Sequence, residues 1–318
     1  MLARTEGPVL VLGAGGKIGL HLSMMLQRSL AALGRSTALT AVSRFQTLHD
    51  RSDFTKHGIA TQAADLCDPA ALAALPAAPT VFFLAGVKFG TASAPELLHR
   101  FNVELPRLVA ERFHRSRIVA YSTGCVYPFM RPDSGGATEA TPTAPVGDYA
   151  ASCLAREIAF SDVSRRQGTR VALIRLNYSV EFRYGLLVDL AQKVFRGEPV
   201  DVTTGYVNVI WQRDGLDHTI RSLDLAGSPA VPVNLTGPAI LSVRNLAMRF
   251  GEIFGRPVTF TGSEADTAWL NNAAASHRRF GLPPTSVEEM QQWIAAWLRN
   301  DGATWGKPTG FEKRSGKF

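Results

Sequence analysis

Residues Val9 to Gly19 read Val-Leu-Val-Leu-Gly-Ala-Gly-Gly-Lys-Ile-Gly. Four consecutive apolar residues predict a short strand buried on both faces. Glycines stand at 13, 16 and 19, and Ile18, Leu22, Met25 and Leu26 then recur at helical spacing as far as a stop at Gly34. A strand, a glycine turn and a helix in this order leave few folds open. Gly13 permits the tight turn, Gly16 would let a phosphate approach the backbone, and Gly19 would let helix and strand pack closely. The unpaired amides and the positive end of the helix dipole would face that phosphate. Gly15, Lys17 and Ile18 complete the turn. Placed directly after the first strand, it points to a dinucleotide pyrophosphate rather than a plain bend.

The chain has 318 residues, of which 46% are hydrophobic, enough for one large α/β domain with a smaller appendage. No apolar run reaches the roughly 18 residues of a spanning helix, and the N-terminus enters a strand almost at once. Neither a membrane anchor nor a signal peptide is expected. Cys67, Cys125 and Cys153 suit reduced thiols, so the expected compartment is the cytoplasm. The net charge of +7 is spread along the chain, with one cluster at Lys307, Lys313, Arg314 and Lys317. No basic strip with interleaved aromatics suggests nucleic acid; an anionic small molecule fits better. The seven histidines show no ligand spacing, and no metal is expected.

Strands are expected at 38–42, 59–64, 80–85, 117–122, 171–176, 206–211 and 231–235, with 258–261 extended. Helices are expected after Asp68-Pro69, from Pro95 to about Ser116 with a kink or split at Pro106, over 148–167 and over 186–195. Further helices should begin at Asp214 and Ser242 and at the capping box Ser286-Val287-Glu288-Glu289. Trp293 and Trp297, one turn apart, read as core, and the last dozen residues as an extended arm. Alternating strands and helices predict a Rossmann-like, doubly wound parallel sheet. Residues 1–176 and about 206–240 would form this dinucleotide-binding domain. Residues 177–205 and 241–318 would form a smaller C-terminal substrate-binding cap. The second strand ends in Ser43-Arg44 with no acid for an adenosine ribose, which favours NADP over NAD; a merely solvated Arg44 is the alternative.

These residues together resemble the extended short-chain dehydrogenase/reductases, the NAD-dependent epimerase/dehydratase family. The resemblance rests on Gly13-x-x-Gly16-x-x-Gly19, Asp65-Leu66, Leu84-Ala85-Gly86-x-Lys88, Asn102-Val103, Ser122-Thr123-Gly124-Cys125-Val126-Tyr127 and Tyr149. It implies that Asp65 and Leu66 meet the adenine, while Leu84, Ala85, Gly86 and Lys88 line the ribose and phosphates. Asn102 would hold local backbone near the nicotinamide. Thr123 would bind the reacting oxygen, and Tyr149 would be the general acid/base. It also implies a homodimer through the helices at 95–116 and 148–167.

The family places a Lys four residues after the Tyr; here Cys153 stands there, and Arg156 is the next cation along the chain. Tyr149 could still donate a proton, helped by the nicotinamide charge. Cys153 could have taken a chemical role, or the site could bind a dinucleotide without turnover. Gly124 and Cys125 replace the acids of sugar dehydratases, which argues against dehydration and sugar-acid decarboxylation. The stretch Tyr206–Trp211 lacks a clear nucleotide-diphosphate grip, so a smaller substrate is credible. Asn177, Tyr178, Glu181, Arg183 and Tyr184 follow the sixth strand and are the candidate substrate contacts, with Arg183 able to clamp a carboxylate or phosphate. The expected function is an oxidoreductase or epimerase acting on a carbonyl or secondary alcohol of a small polar, sugar-like molecule. The alternative is a dinucleotide-binding regulatory or scaffold protein.

Overall fold

The computed structural model describes residues 2–5, 7–35, 38–46, 48–88 and 95–316. Lys317 of the basic cluster lies outside them. The first strands are β1 (Val9–Leu12), β2 (Leu39–Ser43), β3 (Ala60–Ala63) and β4 (Thr80–Phe83). They are followed by β5 (Arg117–Thr123), β6 (Arg170–Leu176) and β7 (Val231–Leu235). These seven form one sheet in the order β7-β6-β5-β4-β1-β2-β3, with every pairing parallel.

Alternation along each strand divides the core into two layers. Val9 and Val11 face Leu22, Leu26 and Leu30 of helix α1 (Gly19–Ala32). Leu10 and Leu12 face the opposite layer, with Val109, Phe160 and Val163. Helices on both sides bury the central strands on both faces, which is why β1 and β4 read as nearly unbroken hydrophobic runs. A second core belongs to the cap and includes Val180, Leu190, Val207, Trp211, Phe250, Ile294 and Phe311. Segment 206–240 divides between the two: Val207 and Trp211 join the cap core, while Val233 and Leu235 join the sheet.

The short elements between β2 and β4 are α2 (Arg51–Thr55) and α3 (Pro69–Ala73). The run after Pro95 splits into α4 (Pro95–His99), a π-helical turn Arg100–Glu104 and α5 (Leu105–Arg112). Pro106 has no N–H for the Asn102 carbonyl, and the ladder changes register just before it. The wider turn holds Asn102, which is fully buried. Helix α6 (Asp148–Gln167) has the expected limits and ends in the left-handed Gly168. Later helices are α7 (Leu186–Arg196), α8 (Gln212–Arg221), α9 (Val243–Phe254), α10 (Ala274–Phe280) and α11 (Val287–Arg299). Both halves of the Ser286/Glu289 capping box are formed.

Three local expectations are corrected. The stretch 206–211 is two short strands with different partners: Tyr206–Val207 pairs with Leu241–Ser242, and Ile210–Trp211 pairs with Ser179–Val180. Asn208 breaks it, because its amide bonds the Ala239 carbonyl and the Asn271 N–H. Helix α8 starts at Gln212 rather than Asp214. Trp293 is not core: it is 36% exposed beside Trp211, at the rim of an aromatic groove.

Helix α6 is tied to the sheet by a buried ion pair. Arg175 of β6 donates to Glu157 of α6 through Nη2 (2.7 Å) and Nε (3.0 Å). Ser122 of β5 donates to the same carboxylate at 2.6 Å. Arg175 also donates to the Tyr127 hydroxyl (2.7 Å), which donates onward to Asn234 Oδ1 (2.9 Å). Removing one charge strands the other in a dry interior. Glu157→Ala or Arg175→Ala should therefore cost about 3–5 kcal/mol in urea denaturation, and the Glu157→Leu/Arg175→Met double variant clearly less than their sum. Single-variant losses below about 1 kcal/mol would mean that water reaches the pair.

Candidate functional site

The strand order reverses at β1: the chain runs outward through β2 and β3, then returns to β4 on the other side. The crevice at the carboxyl ends of β1 and β4 is where such sheets bind ligands. Gly13 has φ +82°, and a Cβ there would lie 2.5 Å from the Ala85 nitrogen, so turn and β4 end touch backbone to backbone. Gly16 faces a cleft of about 190 Å³. Gly15 lies against Ser43, and Gly19 against the Ala14 backbone. Ile18 packs against the sheet core.

Asp65, Leu66, Leu84, Ala85 and Gly86 line the same cleft, with Arg44 and Phe101 at its outer end. Asp65 accepts the Cys67 N–H and lies 3.6 Å from Arg100. Arg44 is exposed, 5.3 Å from the Phe101 ring centroid. Lys17 and Lys88 directly follow the lining residues Gly16 and Val87 in the chain. Lys17 stands over the Tyr184 ring at 3.2 Å. Burial and then the nearby Lys88 ammonium pull its pKa down to about 7. Burial also lowers Lys88.

Asn102 clamps the loop after β4. Its Oδ1 accepts the Val87 N–H (3.1 Å), and its Nδ2 donates to the Val87 carbonyl (3.0 Å) and to Ser152 Oγ (2.9 Å). Arg156 donates to Asn102 Oδ1 (2.6 Å) and to the Tyr121 carbonyl (2.9 Å). A side chain at Gly86 would strike the Arg156 guanidinium and displace it from its place beside Asn102. The sequence marked Arg156 only as the next cation after Cys153; its buried place behind the cleft was not foreseen.

Thr123 ends β5, and its Oγ1 accepts the Cys125 N–H at 3.2 Å. Tyr149 lies in the first turn of α6 and packs on the small cluster of Val126, Tyr127 and Cys153. Its hydroxyl and the Cys153 thiol are close enough to interact. Burial pushes the Tyr149 phenol well above its ordinary range, and a thiolate at Cys153 or Cys125 would add to that rise. Burial raises both thiols as well, so Cys153 is held neutral and supplies no charge.

The residues after β6 divide. Asn177 is buried and donates to the Trp269 carbonyl (3.1 Å). Tyr178, at φ +39°, lies within electrostatic range of Cys125 and Arg314, so it belongs to the Tyr149 side. Arg183 is paired with Glu181 at 3.2 Å and reaches His21 Nε2 at 3.4 Å. It lines a separate groove of about 420 Å³ with Met24, Phe182, Trp211 and Trp297. The side chain offered as an anion clamp is thus already in an ion pair on another face.

The C-terminal segment does not extend away from the fold. It straps the sheet domain to the cap beside Lys88. Trp305 donates its N–H to the Arg183 carbonyl (3.1 Å) and packs against Tyr184 and His49. Thr309 donates through N–H (2.8 Å) and Oγ1 (2.6 Å) to Asp189. Phe311 enters the cap core, Glu312 pairs with Lys193 at 2.8 Å, and Arg314 donates to Thr267. No sequence pattern marks these contacts, because each depends on chain brought in from elsewhere.

A doubly wound sheet with a glycine turn, a Thr at the end of β5 and a Tyr opening α6 defines a dinucleotide-type α/β class. The family model described as the NAD-dependent epimerase/dehydratase family matches residues 9–194, and the chain belongs to that family. It is an enzyme family. The fold is shared with a UDP-glucose 4-epimerase from Thermus thermophilus, solved with NAD, at 20% identity and TM-score 0.74 over 92% of this chain and 99% of that one. It is shared with a UDP-glucose 4-epimerase from Thermotoga maritima, solved with UDP-glucose, at 15% identity and TM-score 0.76 over 92% and 99%. It is also shared with a variant of a UDP-glucuronic acid 4-epimerase from Bacillus cereus, solved with NAD and a fluorinated UDP-sugar, at 16% identity and TM-score 0.75 over 92% and 99%. No curated protein sequence matches the chain. Among the described residues no helix is long and apolar enough to cross a membrane.

The Asp189 anchor is directly testable. Asp189→Ala removes the acceptor of both Thr309 bonds. Proteolysis within residues 303–316 should speed up at least about fivefold under native conditions, while the urea midpoint moves less, because local opening is uncoupled from global unfolding. Unchanged cleavage would show that Trp305 and Phe311 suffice to hold the strap.

Proposed function

We propose that this chain is a nicotinamide-dinucleotide-dependent epimerase or oxidoreductase acting on a secondary alcohol or carbonyl of a small polar, sugar-like molecule. The supporting observation is the arrangement around Cys125. Its N–H is hydrogen-bonded to Thr123 Oγ1, and it lies within electrostatic range of Tyr149 and of Lys88, the residue that follows the cleft-lining Val87. The residue types in the cleft support a dinucleotide: Gly16 presents backbone with no neighbour closer than 3.7 Å to an added Cβ, and Leu66 and Phe101 offer apolar surface to a ring. When bound, the nicotinamide would supply the hydride acceptor and donor.

Thr123 accepts the Cys125 N–H, which leaves its own O–H to donate to the substrate oxygen. Tyr149 would take and return the proton of that oxygen. Tyr178 would close the substrate side, with Asn177 holding the backbone beneath it. The absence of an acid at the end of β2 and the exposed Arg44 support NADP, with NAD as the other candidate. The family resemblance supports a homodimer through these helices, on which Leu97 of α4 and Ile158 of α6 are exposed. A regulatory dinucleotide-binding protein is the second reading. It is favoured by the raised Tyr149 phenol and the uncharged Cys153.

Tyr149→Phe distinguishes the two. It should lower turnover by more than about 100-fold and leave dinucleotide affinity nearly intact. Full activity in this variant would remove Tyr149 from the chemistry. Retained dinucleotide with no turnover of any carbonyl or sugar panel would favour the regulatory protein.

Lys17 gives binding a pH signature. Its pKa is about 7 in the free protein, and a diphosphate beside it would favour the ammonium and raise that value. Above pH 7 the free side chain is mostly neutral, so binding takes up a proton. Affinity for NADPH and NADH should therefore fall as pH rises, by up to about tenfold per unit until the bound-state pKa is passed. Fluorescence titration between about pH 6 and 9 measures this, and Lys17→Met should flatten the profile.

A further inference from the structure

We propose that Lys88 is the positioning residue for Tyr149, delivering from the loop after β4 the positive charge that α6 lacks at Cys153. The assignment rests on the proton-transfer role proposed for Tyr149. Lys88 Nζ lies 5.6 Å from the centre of the Tyr149 ring. It is also within electrostatic range of both thiols that flank the phenol, Cys125 and Cys153. Burial lowers the pKa of Lys88, but its protonated form favours the phenolate as a cation at position 153 would; only the route by which the charge arrives differs.

Arg156 of α6 also acts on Tyr149 and lowers it, but its guanidinium is held in place for a different task. Both of its terminal nitrogens are engaged below the site, on Tyr121 and Asn102. Asn102 in turn grips Val87 by both N–H and carbonyl. Arg156 thus holds Asn102, Asn102 holds Val87, and the next residue is Lys88. From above, the Thr309 carbonyl of the strap lies 3.5 Å from Lys88 Nζ. Thr309 is itself fixed by Asp189. The lysine is therefore aimed from two sides by groups that are already bonded, which limits the entropy lost in holding it over the ring.

The electrostatic surroundings make the charge consequential. Cys125, Cys153, Asp189, Lys17 and Lys313 act on Lys88, and Cys125, Cys153 and Arg156 act on Tyr149. Burial opposes ionisation of the phenol, and a nearby cation offsets that cost. An opposite charge within ~4–6 Å typically moves a pKa by about 1–3 units.

The test reads the phenol itself. A difluorotyrosine at position 149, whose ring substituents bring the titration into the stable pH range, is followed by fluorine NMR in the full chain, with and without NADPH. Lys88→Met and Lys88→Gln should raise its midpoint by about one unit or more, and Lys88→Arg should stay within about half a unit. Cys153→Lys placed in the Lys88→Met chain should bring the midpoint back down. Near-ultraviolet circular dichroism identifies any variant that has lost its fold, and either neutral variant that folds carries the test. An unchanged midpoint in the folded neutral variants overturns the proposal. So does a loss of NADPH affinity with the midpoint unmoved, which would make Lys88 a phosphate contact alone. Failure of the enzymatic reading appears elsewhere, as full activity in Tyr149→Phe or as no dinucleotide bound, and leaves the titration result legible.

Discussion

The ion pair between Arg175 and Glu157 sets the position of nearly everything that carries chemistry in this molecule. It joins α6 to β6, and Ser122 brings β5 onto the same carboxylate. Tyr149 lies two turns before Glu157 on α6, and Thr123 follows Ser122 on β5, so the pair determines the distance between the proposed proton donor and the proposed oxygen-binding hydroxyl. An apolar contact could hold the helix against the sheet. A bidentate guanidinium with a hydroxyl on the same carboxylate also defines register and rotation. The Tyr127–Asn234 extension carries this constraint to β7 and to the loop before α6.

A second polar system, built on the adjacent residue, faces the other way. Arg156 and Asn102 support the loop after β4, while Glu157 and Arg175 support the strand ends. Two neighbouring charged residues on one helix are thus buried for different purposes. Their partners satisfy most of the polar atoms, as a dry interior requires. The Nε of Arg156 has no hydrogen-bond partner among the described residues, and it lies beneath the cleft. The site above it is unusual in having thiols where neighbouring charge would favour proton transfer, and the clamped β4 loop brings Lys88 into the same space.

Much of the scaffold could be read from residue pattern. Val9–Leu12 and Thr80–Phe83 are apolar runs because both faces of a parallel strand are covered. The limits of α6 follow from its periodicity and Gly168, and the break near Pro106 follows from its missing N–H. The glycine turn was legible because it uses local spacing, whereas Thr123 and Tyr149 were singled out by the resemblance and their roles are proposals. Less legible were the elements whose stability comes from distant partners. The stretch 206–211 looked like one strand, but Asn208 finds acceptor and donor at 239 and 271, and the chain bends there. Trp293 and Trp297 share a helix face whose cover depends on how α11 meets the loop after β6. Arg183 looked free for a ligand, yet Glu181 and His21 meet it.

The sequence by itself determined the doubly wound sheet, the place of the glycine turn and the residues that face the crevice, because backbone geometry and side-chain periodicity act over a few residues. The tertiary structure decided the electrostatics. Whether a lysine near a tyrosine matters depends on loop path, burial and the groups between them, and these are set by contacts such as Arg156–Asn102 and Asp189–Thr309 that span 54 and 120 residues of chain. Coulomb energy depends on separation in space and on local dielectric, neither of which is written in sequence spacing. The C-terminal strap shows the same division: its residues carry no periodic signal, and only the folded cap offers the partners that hold it across the cleft.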